Sequence, residues 1–154
     1  MSYRITGLDP TPFRDLHFLS DDALAEKGVR RVRIESKHAA PCRLSLDDAE
    51  IGEAVLLLNY EHQPANTPYR QQGPIFVRES EQRFEGIGVI PPALARRPLS
   101  LRGFDGEDMM IEADLAEGAD VPPLIERIFA NPNVAYIHAH YARRGCYAAL
   151  IERA

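Results

Sequence analysis

The most strongly apolar stretch of the chain is Ala54-Val55-Leu56-Leu57-Leu58. Its unbroken character predicts a strand over Ala54–Tyr60 that is buried on both faces, as at the centre of a sheet. Shorter apolar blocks surround it. Tyr3–Thr6 reads as a strand closed by Gly7 and Pro10, and β-branched residues favour another over Val29–Ile34. Pro74–Arg78 sets Ile75 and Val77 on one face against Phe76 and Arg78 on the other. Leu99–Phe104 and Met109–Leu115 read as a hairpin turning through Asp105-Gly106, a strong turn dipeptide. Val134–Ala142 and Cys146–Glu152 finish the chain as two further strands.

Helical signals are fewer. Ser20 is placed as an N-cap, Asp21 and Asp22 complement the helix dipole, and Gly28 supplies the stop, so a short helix is expected near Asp21–Lys27. A second begins at Asp120, where Val121, Leu124, Ile125, Ile128 and Phe129 form one apolar stripe. Pro122 and Pro123 sit in its first turn, where a missing N–H costs least, and Asn131-Pro132-Asn133 ends it. Leu44–Glu50 reads as a turn or short helical piece ending at Gly52. Strands outnumber helices, and most are joined too briefly for parallel crossovers. The expected fold is therefore α+β: a mainly antiparallel, curled β-sheet with two or three short helices, in a single domain over residues 1–154.

Composition adds limits. With 154 residues, 45% of them hydrophobic and 27% charged, the chain can close one core without staples. A formal net charge of −5 argues against non-specific nucleic-acid binding, which rests on a basic surface. Arg30-Arg31-Arg33, Arg96-Arg97 and Arg143-Arg144 are local basic clusters, each read as a solvated face or turn. The start of the chain lacks the charged and apolar segments of a secretory signal, and no apolar run approaches the ~20 residues of a membrane span. A cytoplasmic protein is expected, with no membrane partner and with Cys42 and Cys146 reduced.

Candidate chemistry gathers first on the terminal hairpin. His138 and His140 alternate on a strand and share a face. A three-residue loop, Arg143-Arg144-Gly145, would suit a left-handed glycine, pair Ala142 with Cys146, and bring the thiol onto the histidine face, two pair positions from His140, which would lie opposite the small Ala148. His62, His138, His140 and Cys146 are thus the candidate catalytic residues. They could form a thiol–imidazole pair, a metal-dependent hydrolase site on His62, His138 and His140, or a neutral pocket whose histidines only exchange hydrogen bonds. They could equally be structural residues near a sheet edge. No metal site or cofactor is assigned.

The segment following the apolar strand, Asn59–Arg70, and two arginines on later strands, Arg78 and Arg102, supply the other candidates. Arg70, Arg78 and Arg102 could grip a carboxylate or phosphate through bidentate contacts. Tyr60 and Tyr69 offer flat faces with polar tips, and Pro64 and Pro68 stiffen the loop. Phosphate loops, nucleophile elbows and zincin motifs are absent.

Three stretches together, Pro41–Glu79, Leu99–Asp105 and Asn131–Ala149, resemble a bacterial family of uncharacterised single-domain proteins catalogued as a domain of unknown function. The resemblance covers nearly the whole chain and implies a bacterial protein of one domain, but it carries no substrate, cofactor or catalytic residue. The expected function is binding of, or catalysis on, a small anionic and ring-bearing metabolite or nucleotide. The rival from another class is an interaction domain that forms a homodimer or partner complex through a sheet edge or the Phe13–Leu19 segment. The first reading requires His62 and Tyr69 to share one cleft with His138 and His140.

Overall fold

The computed structural model describes residues 2–154. In chain order its elements are β1 (Tyr3–Thr6), a 3-10 helix (Thr11–Phe18), α1 (Asp21–Glu26), β2 (Arg30–Arg33), β3 (Ala54–Gln63), β4 (Gln71–Arg78), β5 (Glu85–Ile87), α2 (Pro92–Ala95), β6 (Leu99–Phe104), β7 (Met110–Ala116), a 3-10 turn (Gly118–Asp120), α3 (Val121–Phe129), β8 (Tyr136–Tyr141) and β9 (Tyr147–Arg153). The strands form two sheets rather than one. Six are ordered β5-β1-β9-β8-β6-β7, three are ordered β2-β3-β4, and every pairing between them is antiparallel. The α+β, mainly antiparallel class holds. Neither sheet closes on itself.

Each sheet carries its own core. One face of the six-stranded sheet presents Ile5, Leu99, Leu101, Ile137, Ala139 and Ile151 to the apolar stripe of α3. The stripe works because Val121, Leu124, Ile125, Ile128 and Phe129 are all buried along one side of the helix. In the three-stranded sheet, β3 is central, as its apolar run requires. Leu56 and Leu58 pack with Phe13, Leu24 and Ile75, while Val55 packs with Ile34, Ala40 and Ala49 on the other side. Phe13 is only 3% exposed and anchors the Thr11–Phe18 turn against Tyr60, so that residue belongs to the core, while Phe18 on the same turn stands out at 79%.

The Leu44–Glu50 region is a turn, and with the residues before it joins the two cores. Leu46 belongs to the first, and Cys42 and Leu44 to the second. Cys42 bridges Phe76 of β4, and the Arg43 N–H donates to the Phe76 carbonyl at 3.0 Å. Gly7 passes so close that a Cβ there would stand 2.0 Å from the Leu44 carbonyl oxygen. Among the described residues no helix is long and apolar enough to cross a membrane.

Candidate functional site

Residues facing each other on β6, β8 and β9 alternate between two faces. Leu101 and Ala139 point to the core, while Arg102 opposite His138 and Ser100 opposite His140 point the other way. The tip of the β3–β4 hairpin lies over that second face. It puts the His62 ring 5.0 Å from His140 and 6.1 Å from His138. Tyr147 stacks on His62 at 5.0 Å and meets His138 edge-on at 5.1 Å. Phe104 extends the group between His138 and Tyr69, at 5.1 and 6.2 Å. The three predicted histidines, Tyr69 and Arg102 therefore belong to one continuous cluster.

Tyr147 was not among the sequence candidates, and the turn explains why. The Tyr141 N–H donates to the Cys146 carbonyl at 2.9 Å, and the Gly145 N–H to the Tyr141 carbonyl at 2.8 Å. The loop is thus Ala142-Arg143-Arg144-Gly145, one residue longer than expected. Gly145 still takes the left-handed position, with φ of +77°. His140 then lies opposite Tyr147 rather than Ala148, and a bulge restores the Ala139–Ala149 pairing. Cys146 is turned to the opposite face of the sheet, which removes the thiol–imidazole pair.

The imidazoles of His138 and His140 are buried and held neutral at neutral pH. Burial, reinforced by the charges of His140, His62 and Arg102, pulls His138 down to about 3. Burial also brings His140 to about 4, although its hydrogen bond to the Gly145 carbonyl works the other way. Neither is poised as a neutral-pH acid or base. His140 Nδ1 donates to the Gly145 oxygen at 2.9 Å, and His62 Nε2 donates to Gln71 Oε1 at 3.2 Å. The Nδ1 atoms of His62 and His138 are buried without a hydrogen-bond partner. Among the described residues, no group of three or more His, Cys, Asp or Glu side chains is arranged to hold a metal ion.

Of the other arginines and tyrosines, Arg102 stays within the cluster and Arg70, Arg78 and Tyr60 are engaged elsewhere. Arg70 is paired with Glu61 at 3.0 Å on the surface. Arg78 makes a two-pronged contact with Glu53, at 2.6 and 2.9 Å. It sits opposite Val55, about 23 Å from His62 at ~3.3 Å per strand residue. Tyr60 packs on Phe13 at 5.8 Å and is a wall of the second core. Arg102 donates to Ser100 and Gln71 and has no carboxylate partner among the described residues; burial lowers its pKa.

A second site was not anticipated. Where the β8–β9 turn, the α2–β6 connection and the Ala39–Arg43 segment meet, they enclose a cavity of about 430 Å³. Five of its lining residues are arginines: Arg43, Arg96, Arg97, Arg143 and Arg144. Two of the basic clusters read as separate solvated faces converge here because α2 ends beside the β8–β9 turn. Asp48 holds one side, bonded to Arg97 at 2.6 Å and Arg96 at 2.9 Å. It is the only carboxylate paired with any of the five among the described residues.

Arg43 is the unusual member. It is 1% exposed, and it donates to the Tyr147 carbonyl at 2.7 Å, to the Pro41 carbonyl, and to Cys146 Sγ at 3.1 Å. None of these acceptors is a carboxylate. Its guanidinium lies 4.9 Å from the centre of the Tyr141 ring, with that of Arg97 at 5.3 Å. Tyr141 is 5% exposed, and its hydroxyl has no hydrogen-bond partner. Burial pushes that hydroxyl up to about 12, against the pull of Arg43 and Arg97. Phe76, Pro41, Pro98 and Ala39 supply apolar wall. The arrangement can surround a negative group with guanidinium donors and lay a flat apolar body against Phe76.

A family model described as "Protein of unknown function (DUF1203)" matches residues 39–153. That span includes the whole histidine cluster and every lining residue of the arginine cavity except His38. No curated protein and no solved structure matches the chain. Since the match takes in both sites and most of the sequence, the chain belongs to the DUF1203 family.

Proposed function

We propose that this protein binds a small anionic, ring-bearing molecule in the cavity lined by Arg43, Arg96, Arg97, Arg143 and Arg144. The observation that carries this reading is Arg43, a fully buried guanidinium with no carboxylate partner among the described residues. A buried charge whose partners are all neutral is costly, and one lining a cavity gains its counter-charge when an anion enters. Arg143 and Arg144 stand exposed at the rim without an ion-pair partner among the described residues, suited to drawing an anion inward in a chain of net charge −5. The Phe76 ring and the two prolines favour a ligand whose charge is attached to a flat apolar body.

The reading keeps the expected ligand class and moves its site from Arg70 and Arg78 to the arginine cavity. The test is thermal unfolding at constant ionic strength with inorganic phosphate, benzoate or a nucleoside monophosphate added. A ligand at tenfold its Kd stabilises by about 1.4 kcal/mol, an upward shift of ~3–5 °C for a chain of this size. Arg143→Ala/Arg144→Ala should lose most of that shift. Equal midpoints with every anion, or a shift unchanged in the double variant, would overturn the proposal.

A further inference from the structure

The arginine cavity holds a thiol. Cys146 lines it, is partly accessible, and accepts an N–H from buried Arg43 at 3.1 Å. The other cysteine, Cys42, is fully buried in the second core. Tyr141, whose hydroxyl is unpartnered, lies on the same wall next to the turn that carries Cys146. A thiol attacks other sulfur compounds as its anion, and a fixed positive charge beside the sulfur is of the sign that the anion needs. The cavity thus combines a nucleophilic atom, a charge to support it, and four further arginines to select what reaches it.

We infer that Cys146 is a covalent attachment point, forming a mixed disulfide with a small disulfide that carries a carboxylate. In the step, the Cys146 sulfur, having given its proton to solvent, attacks the nearer sulfur of the incoming disulfide. The S–S bond of that molecule breaks, a new S–S bond to Cys146 forms, and the other half departs as a thiolate. The incoming disulfide is the oxidant, and no other electron acceptor is needed. The carboxylate is held by the rim arginines while the sulfur reaches the wall. This rests on the proposed anion binding and adds the chemistry of the bound molecule.

Two aromatic disulfide reagents test it on the intact protein: dithio-bis-nitrobenzoate, with a carboxylate on each half, and uncharged dithiodipyridine. Both release a coloured thiolate that reports the rate. The folded protein should lose one thiol to each reagent, at Cys146 by mass spectrometry and not at all in Cys146→Ser. Its preference for the charged reagent should exceed that of free N-acetylcysteine about tenfold, as electrostatic focusing provides. Arg143→Ala/Arg144→Ala should bring the preference down to that of the free thiol, whereas Arg143→Lys/Arg144→Lys should keep most of it. The uncharged reagent serves in each variant as the control for access to the thiol. A Cys146 that reacts only on unfolding, or a preference no greater than the free thiol's, or one that survives loss of both arginines, would overturn the inference. Phosphate and benzoate binding by Cys146→Ser is measured separately; if it persists while the thiol shows no preference, anion binding stands and the covalent step falls.

Discussion

The ring of His62 lies on that of Tyr147, with centroids 5.0 Å apart and planes inclined by only 12°. One ring belongs to the three-stranded sheet and the other to the six-stranded sheet, so the stack is a fastening between the two. Aromatic pairs contribute about 0.5–1.5 kcal/mol beyond the area they bury. His62→Ala should therefore lower stability by about 1–2 kcal/mol and the melting midpoint by several degrees. Calorimetry checks this; an unchanged midpoint would mean that the hairpin tip is held by other contacts, such as the Gln63–Tyr136 hydrogen bond at 2.9 Å.

The histidine cluster makes stability depend on pH in a definite direction. His138 and His140 titrate at about 3 and about 4 in the folded protein, and near 6.5 in an unfolded chain. As pH falls, the unfolded state takes up protons first. Stability is thus complete above about pH 6.5 and is lost as pH falls toward the folded values, at up to ~1.4 kcal/mol per pH unit for each histidine. Urea midpoints measured between neutral pH and about pH 4.5 should fall steeply, and less so in His138→Gln/His140→Gln. A flat profile would contradict the burial of these rings.

Asp48 is the brace of the arginine cavity. Burial opposes its ionisation, but the hydrogen bond and charge of Arg97, with Arg96 and His38, outweigh this and hold its carboxyl below the usual range. Its contribution is present above the ordinary carboxylate pKa and is lost as pH falls through the lower folded value. Asp48→Asn should cost about 2–4 kcal/mol in urea unfolding, because it leaves half-buried arginines without their anion. The same variant should bind phosphate or benzoate more tightly, since an added anion then replaces the missing carboxylate. Weaker anion binding by a folded Asp48→Asn protein would count against the cavity as the binding site.

Gly7 is a backbone contact rather than a flexible joint. A side chain there would meet the Leu44 carbonyl at 2.0 Å, and the neighbouring Leu8 N–H donates to the Arg43 carbonyl at 2.8 Å. Gly7→Ala must push β1 away from the segment that positions Arg43. The expected cost is about 3 kcal/mol, at the upper end of the range for overpacked cores. Gly106→Ala, at a glycine with nothing within 4 Å of an added Cβ, should cost far less. Equal losses from the two would show that the close approach does not matter.

How much was legible follows from the range of each signal. The strand Ala54–Tyr60, the α3 stripe and the Ser20 cap are written in neighbouring residues, and all three elements form. The fastening of His62 to His138 and His140 could be posed as a question, because the period of a strand puts two histidines on one face. Tyr147 was missed because its face depends on one residue of loop length: four residues in place of three exchange Tyr147 and Cys146 between the two sides. The arginine cavity was visible only as disconnected pairs. Arg96-Arg97 and Arg143-Arg144 each resemble a solvated turn when read alone, and Arg43 in "PCRLS" carries no local mark of burial.

The sequence by itself determined the strand-rich, antiparallel class, the main helix, and the residue types available for an anion site, because periodicity and turn chemistry act over a few residues. Tertiary structure decided that the strands divide into two sheets, that the hairpin tip covers the histidine face, and that Arg43, far along the chain from Cys146, donates a hydrogen bond to its sulfur. Those outcomes depend on which apolar faces bury each other and on the register of one turn. Both are settled by packing energy summed over the whole chain, which no local stretch encodes.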